Sequence, residues 1–288
     1  MRANRVAALI VATAACSPRA ATRSTPEIDQ GWYAGGATCS SPQLQVRAYT
    51  KDFFILRQAA CTNYEKPFLY LIFGSERALL LDTGAGKIDL VPPIDSLLRN
   101  HGTRDLVVAH SHAHSDHVAG DTLIAKRANT RVVGRDTAAV RSFFQIARWP
   151  TDSGTIDLGG RVVDVLPIPG HQPASIALYD RRTGILLTGD TFYPGRLYVR
   201  DTAAFAVSVA RLASFVRTHR ITHILGTHIE NTNTPFVDYP VGTIDQPHEH
   251  GLDLTSANLF ELDSLVRSMR GRMTRTIRRD FTIWPQLP

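Results

Sequence analysis

Residues 107–120 read VVAHSHAHSDHVAG, an apolar run that breaks abruptly into four histidines and an aspartate. The run Leu106–Ala109 predicts a buried strand, and the polar residues begin where that strand should end. From Asp116 onward, Val118, Leu123 and Ile124 fall at helical spacing, so the imidazoles lie on a strand-to-helix loop. Within it, His112, His114, Asp116 and His117 have the spacing HxHxDH. In an extended segment His112 and His114 share a side, and the turn that follows directs Asp116 and His117 to a neighbouring point. This pattern suits two adjacent metal ions. Imidazole and carboxylate ligands favour zinc, with iron or manganese as alternatives. Taken alone, the stretch is also compatible with a solvated histidine-rich loop that does no chemistry.

Upstream, Leu44–Ala48, Phe53–Arg57, Phe68–Phe73 and Ala78–Leu81 predict antiparallel strands separated by turn-formers. The last leads into Asp82, where the two following glycines permit a tight turn, and a turn residue is the simplest reading of that aspartate. Val91–Leu98 predicts a helix. Downstream, a short linker and strand are expected over 125–135, a helix over Asp136–Ala147, and strands at Val162–Ile168 and Ser175–Tyr179. Between these two strands, Pro169–Pro173 presents His171 on a glycine-and-proline loop. Ile185–Thr188 is another apolar strand, leading into Asp190. Ala203–Val216 is helical in period, Ile224–Gly226 leads into His228, Asn231–Leu254 reads as loop, and Thr255–Met269 as a final amphipathic helix. Five apolar runs thus end in a residue able to bind metal or orient a ligand: Asp82, His112 with His114, His171, Asp190 and His228. In layered α/β folds, sites form where strand ends converge.

At 288 residues with 43% hydrophobic content, the chain can bury a sizeable core. Its formal charge of +6 is spread along the sequence, which disfavours a nucleic-acid partner and leaves a small-molecule substrate. Residues 1–16 have the plan of a secretory signal peptide, with Arg2 and Arg5 before an apolar run. Cleavage is expected near Ala14, or before Cys16 if that cysteine is lipidated and anchors the chain to a membrane. A flexible leader over 17–30 and one domain over 31–288 follow, in a secreted or periplasmic protein. In that oxidising setting Cys39 and Cys61 are expected to pair, closing a loop of about twenty residues worth ~3 kcal/mol.

LLDTGAG (80–86), HSHAHSDH (110–117), PGHQPAS (169–175), LLTGD (186–190) and GTH (226–228) follow in the order used by the metallo-β-lactamase superfamily, which the chain resembles from about Leu80 to His228. The resemblance implies an α/β fold, a four-layer αβ/βα sandwich of two mixed β-sheets flanked by helices. It implies a first zinc held by His112, His114 and His171, a second held by Asp116, His117 and His228, and Asp190 bridging the two. Asp82 matches a carboxylate that positions the ligands from behind, and Asp116 a residue that orients a hydroxide shared by the metals. His110 lies outside the pattern and is read as structural or site-lining. His248-Glu249-His250 is read as exposed or pocket-rim polar sequence. Tyr193, Arg196 and Tyr198 are expected to line the substrate pocket. An aspartate at 190 is the choice of glyoxalase II-like thioesterases and lactonases, so an ester, thioester or lactone is the expected substrate. The alternatives are a β-lactamase and, less favoured, a phosphodiesterase or a zinc-binding protein without catalysis.

Overall fold

The computed structural model describes residues 42–286 and, before them, 26–28, 31–32, 35–36 and 38. The expected signal peptide, Cys16, Cys39 and most of the expected leader lie outside the described residues.

The chain first builds an antiparallel meander, β1 (Leu44–Thr50), β2 (Phe53–Gln58), β3 (Phe68–Phe73) and β4 (Arg77–Leu81). Helix α1 (Val91–Asn100) crosses over to β5 (Asp105–Ala109), which pairs parallel to β4. Two one-turn helices, α2 (Ser115–Val118) and α3 (Asp121–Ile124), carry the histidine stretch to β6 (Thr130–Val132), the last strand of a six-stranded sheet. Helix α4 spans Thr137–Phe143, shorter than the apolar pattern predicts. Gln145 takes a left-handed φ of 56°, which ends the helix while Phe144 and Ile146 still bury.

A second six-stranded sheet follows: β7 (Gly154–Asp157), β8 (Val162–Pro167), β9 (Ile176–Asp180) and β10 (Ile185–Gly189). After β11 (Arg196–Val199) and helix α5 (Thr202–Thr218) it is completed by β12 (His223–Gly226), parallel to β10, and β13 (Asp253–Leu254). Helix α6 (Ser256–Ser268) starts at a reciprocal capping box between Thr255 and Asn258. Strands β14 (Thr276–Ile277) and β15 (Thr282–Pro285) return to pair with β11 in a small third sheet. Strands β7, β11, β13, β14 and β15 escape the sequence reading because each is only two to four residues long, too short for a period to register.

Residue parity assigns the layers. In β3, Phe68, Tyr70 and Ile72 face the second sheet and meet residues such as Val163, Leu178 and Leu187, whereas Leu69, Leu71 and Phe73 face α1 through Ile94 and Leu98. On the second sheet, Leu166, Ala177, Leu186 and Ile224 pack against Phe205 and Leu212 of α5 and Leu259 and Leu262 of α6. The result is helix, sheet, sheet, helix, as expected. Strands buried on both faces explain the near-continuous apolar runs at 68–73 and 185–187.

Polar contacts also cross between the sheets. The Phe68 amide donates to the Thr227 carbonyl at 2.8 Å, so the end of β12 is held against β3. Arg161 is buried, pairs bidentately with Asp180 at 2.9 and 2.5 Å, and donates to the carbonyls of Asp52 and Phe73 at 2.8 and 3.0 Å.

Candidate metal centre

The strand ends predicted to carry chemistry converge. Nδ1 of His114 lies 2.9 Å from Nε2 of His112 and 3.0 Å from Nε2 of His171, and these last two nitrogens are 3.2 Å apart. Nitrogens bound to one tetrahedral zinc stand about 3.3 Å apart, given Zn–N distances of about 2.0–2.1 Å, so the triangle is close to ligand geometry. Beside it, Oδ2 of Asp116 approaches Nε2 of His117 at 2.9 Å and Nε2 of His228 at 3.1 Å. Asp190 stands between the groups, with Oδ2 3.6 Å from His112, His117 and His171 and Oδ1 3.4 Å from His228. Each set, His112/His114/His171/Asp190 and Asp116/His117/Asp190/His228, has its ligand atoms within 4.8 Å of one another.

The outward nitrogens test whether these rings suit a cation. Nδ1 of His171 donates to the Tyr198 carbonyl at 2.8 Å, Nδ1 of His228 to the Glu65 carbonyl at 2.9 Å, and Nδ1 of His117 faces Asp82 Oδ2 at 3.0 Å. A carbonyl can only accept, so the proton of a neutral ring sits on the outer nitrogen and the lone pair points inward. The donor set therefore fits a metal pair.

Electrostatics divide the two sets. Burial holds the His112 and His171 rings below the ordinary imidazole value, and His114 down to about 4, so this trio is neutral at pH 7. Burial also acts against charge at His117 and His228, but Asp190 and Asp116 outweigh it: His117 is raised well above the usual value and His228 to about 9. The carboxyls of Asp116 and Asp190, despite burial, are held well below their usual range by the neighbouring imidazoles.

Behind the site, Asp82 is fully buried at a φ of 68° and accepts from the amide and hydroxyl of Ser111 at 2.7 and 2.8 Å as well as facing His117. It is more than a turn residue. Its left-handed backbone aims the carboxylate at the start of the histidine loop, a strained conformation that these three contacts hold. His110 turns away from the cluster to Asp121 at 2.9 Å, and Asp121 accepts from Thr83 at the same distance, so its role is structural. Thr227 donates to Asp190.

The cleft over these residues has a volume of 270 Å³ and includes Tyr193, Arg196 and Tyr198 among its walls. Arg196 is not available to capture an anion: it is paired with Glu230 at 3.0 Å and Asp238 at 2.6 Å. The Tyr193 hydroxyl is likewise engaged with Glu230. The other cations on its walls are Arg200 at the mouth and buried Lys66, which stands 3.8 Å from Glu249 and which burial pushes down to about 8. Neither stands in a recognisable motif, and sequence reading passed over both, as it did Ser111, Thr227 and the Glu65 carbonyl. Glu249 is not a rim residue either. Its carboxylate is buried against Arg57, with two contacts of 2.6 Å, while His250 faces Asp280 at 3.2 Å.

The family model for the metallo-beta-lactamase superfamily matches residues 66–213, just over half of the chain. A hydroxyacylglutathione hydrolase from Anaeromyxobacter dehalogenans is 32% identical over 128 residues, 42% of this chain and 48% of that protein. The acyl-coenzyme A thioesterase MBLAC2 of Bos taurus is 29% identical over 165 residues, 45% of this chain and 59% of its own length. The chain thus spans about half the length of the curated relatives it matches. Among solved structures, a metallo-beta-lactamase from Pontibacter korlensis superposes with a TM-score of 0.56 at 17% identity, covering 78% of this chain and 99% of that one. The DIM-1 metallo-beta-lactamase superposes at 0.54 and 15% identity, covering 79% and 98%. At these identities the likeness is one of fold. With the family match and the five strand-end motifs in one cluster, the chain belongs to the metallo-β-lactamase superfamily.

Proposed function

We propose that the protein is an exported, dinuclear zinc-dependent hydrolase of thioesters, with esters and lactones as related substrates. The observation that carries this reading is Asp190, whose two oxygens face histidines of both sets at 3.4–3.6 Å. The choice of thioester leans on the two relatives, one named for hydroxyacylglutathione and one for acyl-coenzyme A.

Bound zinc supplies an activated water at neutral pH and a Lewis acid for the scissile carbonyl. His112, His114 and His171 would hold one ion and Asp116, His117 and His228 the other, with Asp190 within reach of both sets. The carbonyls of Tyr198 and Glu65 and the carboxylate of Asp82 fix the ring tautomers. Asp116, held ionised, orients the water rather than serving as a strong base.

A metal-loaded panel of an acyl-coenzyme A, a glutathione thioester, an acyl-homoserine lactone, an aryl ester, a phosphodiester and a chromogenic cephalosporin tests the substrate class. Thioester turnover well above the others is expected; cephalosporin turnover alone would replace this reading with a β-lactamase. Export and a Cys39–Cys61 disulfide belong to the same proposal. Amino-terminal sequencing of the mature protein and its mass with and without reductant check them.

The charge division makes metal uptake uneven in pH. Zinc binds neutral imidazole, and the His228 ring is protonated at pH 7 before metal enters. Uptake at the Asp116/His117/His228 set should release protons at pH 7 and strengthen as pH rises toward about 9. Uptake at the His112/His114/His171 set should release none until pH nears 4, where His114 titrates. Calorimetric zinc titrations in buffers of different ionisation enthalpy read the proton count directly. Equal release at both steps would contradict the division.

A further inference from the structure

Beside the polar cleft lies a second depression of 700 Å³, which shares His171 and Arg200 with it. Its other walls are mostly apolar and include Trp149, Pro150, Pro173 and Ala204, with Thr137, Gln172 and Asp201 as their polar members. A cavity of this size with apolar lining and a few polar groups at one end suits a small-molecule hydrocarbon group.

Helix α5 holds both walls. Ser208 donates to the Pro169 carbonyl at 2.6 Å, and the amides of Arg200 and Asp201 donate to the Gly170 carbonyl at 3.0 and 2.9 Å. A Cβ on Gly170 would sit 2.5 Å from the Phe205 backbone, so only glycine lets this loop lie so close to the helix. On the other wall, Arg211 donates to the Pro150 carbonyl and, at 2.9 Å, to Ser153. Ala204, Ser208 and Arg211 are spaced by four and three residues and so share one face of α5. The smallest of them stands in the groove between the two anchored walls. The groove is therefore preformed, and its width there is set by a methyl group.

We propose that this groove binds the acyl chain of the substrate. The scissile carbonyl then lies at the His171 and Asp190 end, and the leaving thiol or alcohol in the polar cleft toward Lys66. The inference rests on the hydrolase reading above. In the reaction, water adds its oxygen to the acyl carbon and the carbon–sulfur or carbon–oxygen bond breaks. One proton goes to the leaving group and one to solvent, and the acid departs as carboxylate. Continuity through His171 and Arg200 favours the acyl part for this groove, because the charged walls of the cleft suit the other half.

The test compares kcat/KM of the zinc-loaded protein on acetyl, butyryl, hexanoyl and octanoyl thioesters of one thiol. A rise of roughly twofold to fourfold per methylene is expected for chains entering the groove. Ala204→Phe should lower the octanoyl-to-acetyl ratio at least tenfold, and Ala204→Leu should lower it less, which keeps the test intact if the larger variant folds poorly. Octanoate should also perturb tryptophan fluorescence, an effect lost in Trp149→Phe and weakened in Ala204→Leu. Thioester turnover with a flat chain-length profile, or a ratio unmoved by either Ala204 variant, overturns the groove assignment and leaves the hydrolase reading standing. Failure to hydrolyse any thioester or ester overturns the hydrolase reading and the groove assignment with it.

Discussion

Replacing Asp190 with alanine is expected to lower kcat/KM by on the order of 10³-fold or more, equivalent to about 4 kcal/mol of transition-state stabilisation. Asp190 is buried, faces four imidazoles from both sets and is held ionised by them. Without it, His117 and His228 lose the carboxylate that contributes most to their raised values, and the two halves of the centre lose their shared anion. The zinc content of the purified variant should fall from about two ions per chain to one or fewer. Asp82→Asn is the informative contrast. Asp82 acts on the site through His117 and Ser111, and loss of such a supporting partner typically costs about 10–100-fold. An Asp190→Ala variant that kept both metals and its activity would sink the shared-ligand assignment. An Asp82→Asn effect as large as that of Asp190→Ala would mean that orientation of His117, not charge between the metals, limits the chemistry.

The largest effect on stability is expected at Arg161. Its guanidinium is fully buried, paired with Asp180 and bonded to the carbonyls of Asp52 and Phe73, so one side chain joins the turn region of the first sheet to β9 of the second. Breaking a buried pair from one side leaves the partner charge desolvated and typically costs about 3–5 kcal/mol. Arg161→Met keeps much of the volume and should lower the melting temperature by roughly 10 °C or more. Adding Asp180→Asn should cost less than the sum of the two single changes, because the stranded charge is then gone. The sign with pH follows from Asp180. Burial works against its ionisation, but the bonds and charge of Arg161 overcome it and hold the carboxyl below its usual value. The stabilisation is fully present above the unfolded value of about 3.9 and is lost as pH falls through the lower folded value. Melting curves of wild type and variant should therefore converge in strong acid. A gap that stays constant down to about pH 2 would assign the loss to packing rather than to the ion pair.

The strands and the metal-ligating residues were legible in the sequence from local pattern, and the layer order and the joining of those residues into one cluster through the resemblance that five short motifs carry. Alternation along Phe68–Phe73 decides which side chains enter the core between the sheets, and the HxHxDH spacing requires no distant residue to be recognised. The same is true of Asp190, which ends an apolar strand. Partnerships were not legible. Arg57 meets Glu249 across 192 residues, and Arg161 meets the Asp52 carbonyl across 109, distances at which no sequence pattern pairs one charge with another. Arg196 lines the pocket as its place after Asp190 predicts, but its partners Glu230 and Asp238, which already neutralise it, lie 34 and 42 residues away. The short strands β14 and β15, too brief to show a period, were visible only once β11 was there to pair with them.

By itself the sequence determined the run of strands and helices and the strand-end histidines and aspartates able to ligate metal, which follow from burial period and ligand chemistry, properties a residue carries in its own neighbourhood. The αβ/βα plan, the division of ligands between two metals and the frame beginning at His112 rather than His110 came through the motifs shared with the metallo-β-lactamase superfamily. Tertiary structure alone decided which nitrogen of His117, His228 and His171 turns inward, because the acceptors that hold the other nitrogen come from Asp82, Glu65 and Tyr198 on distant segments. It also decided that Trp149, Pro173 and Ala204 line one groove beside His171. Such convergence is set by how helix α5 packs on its sheet, and packing is a property of the whole chain.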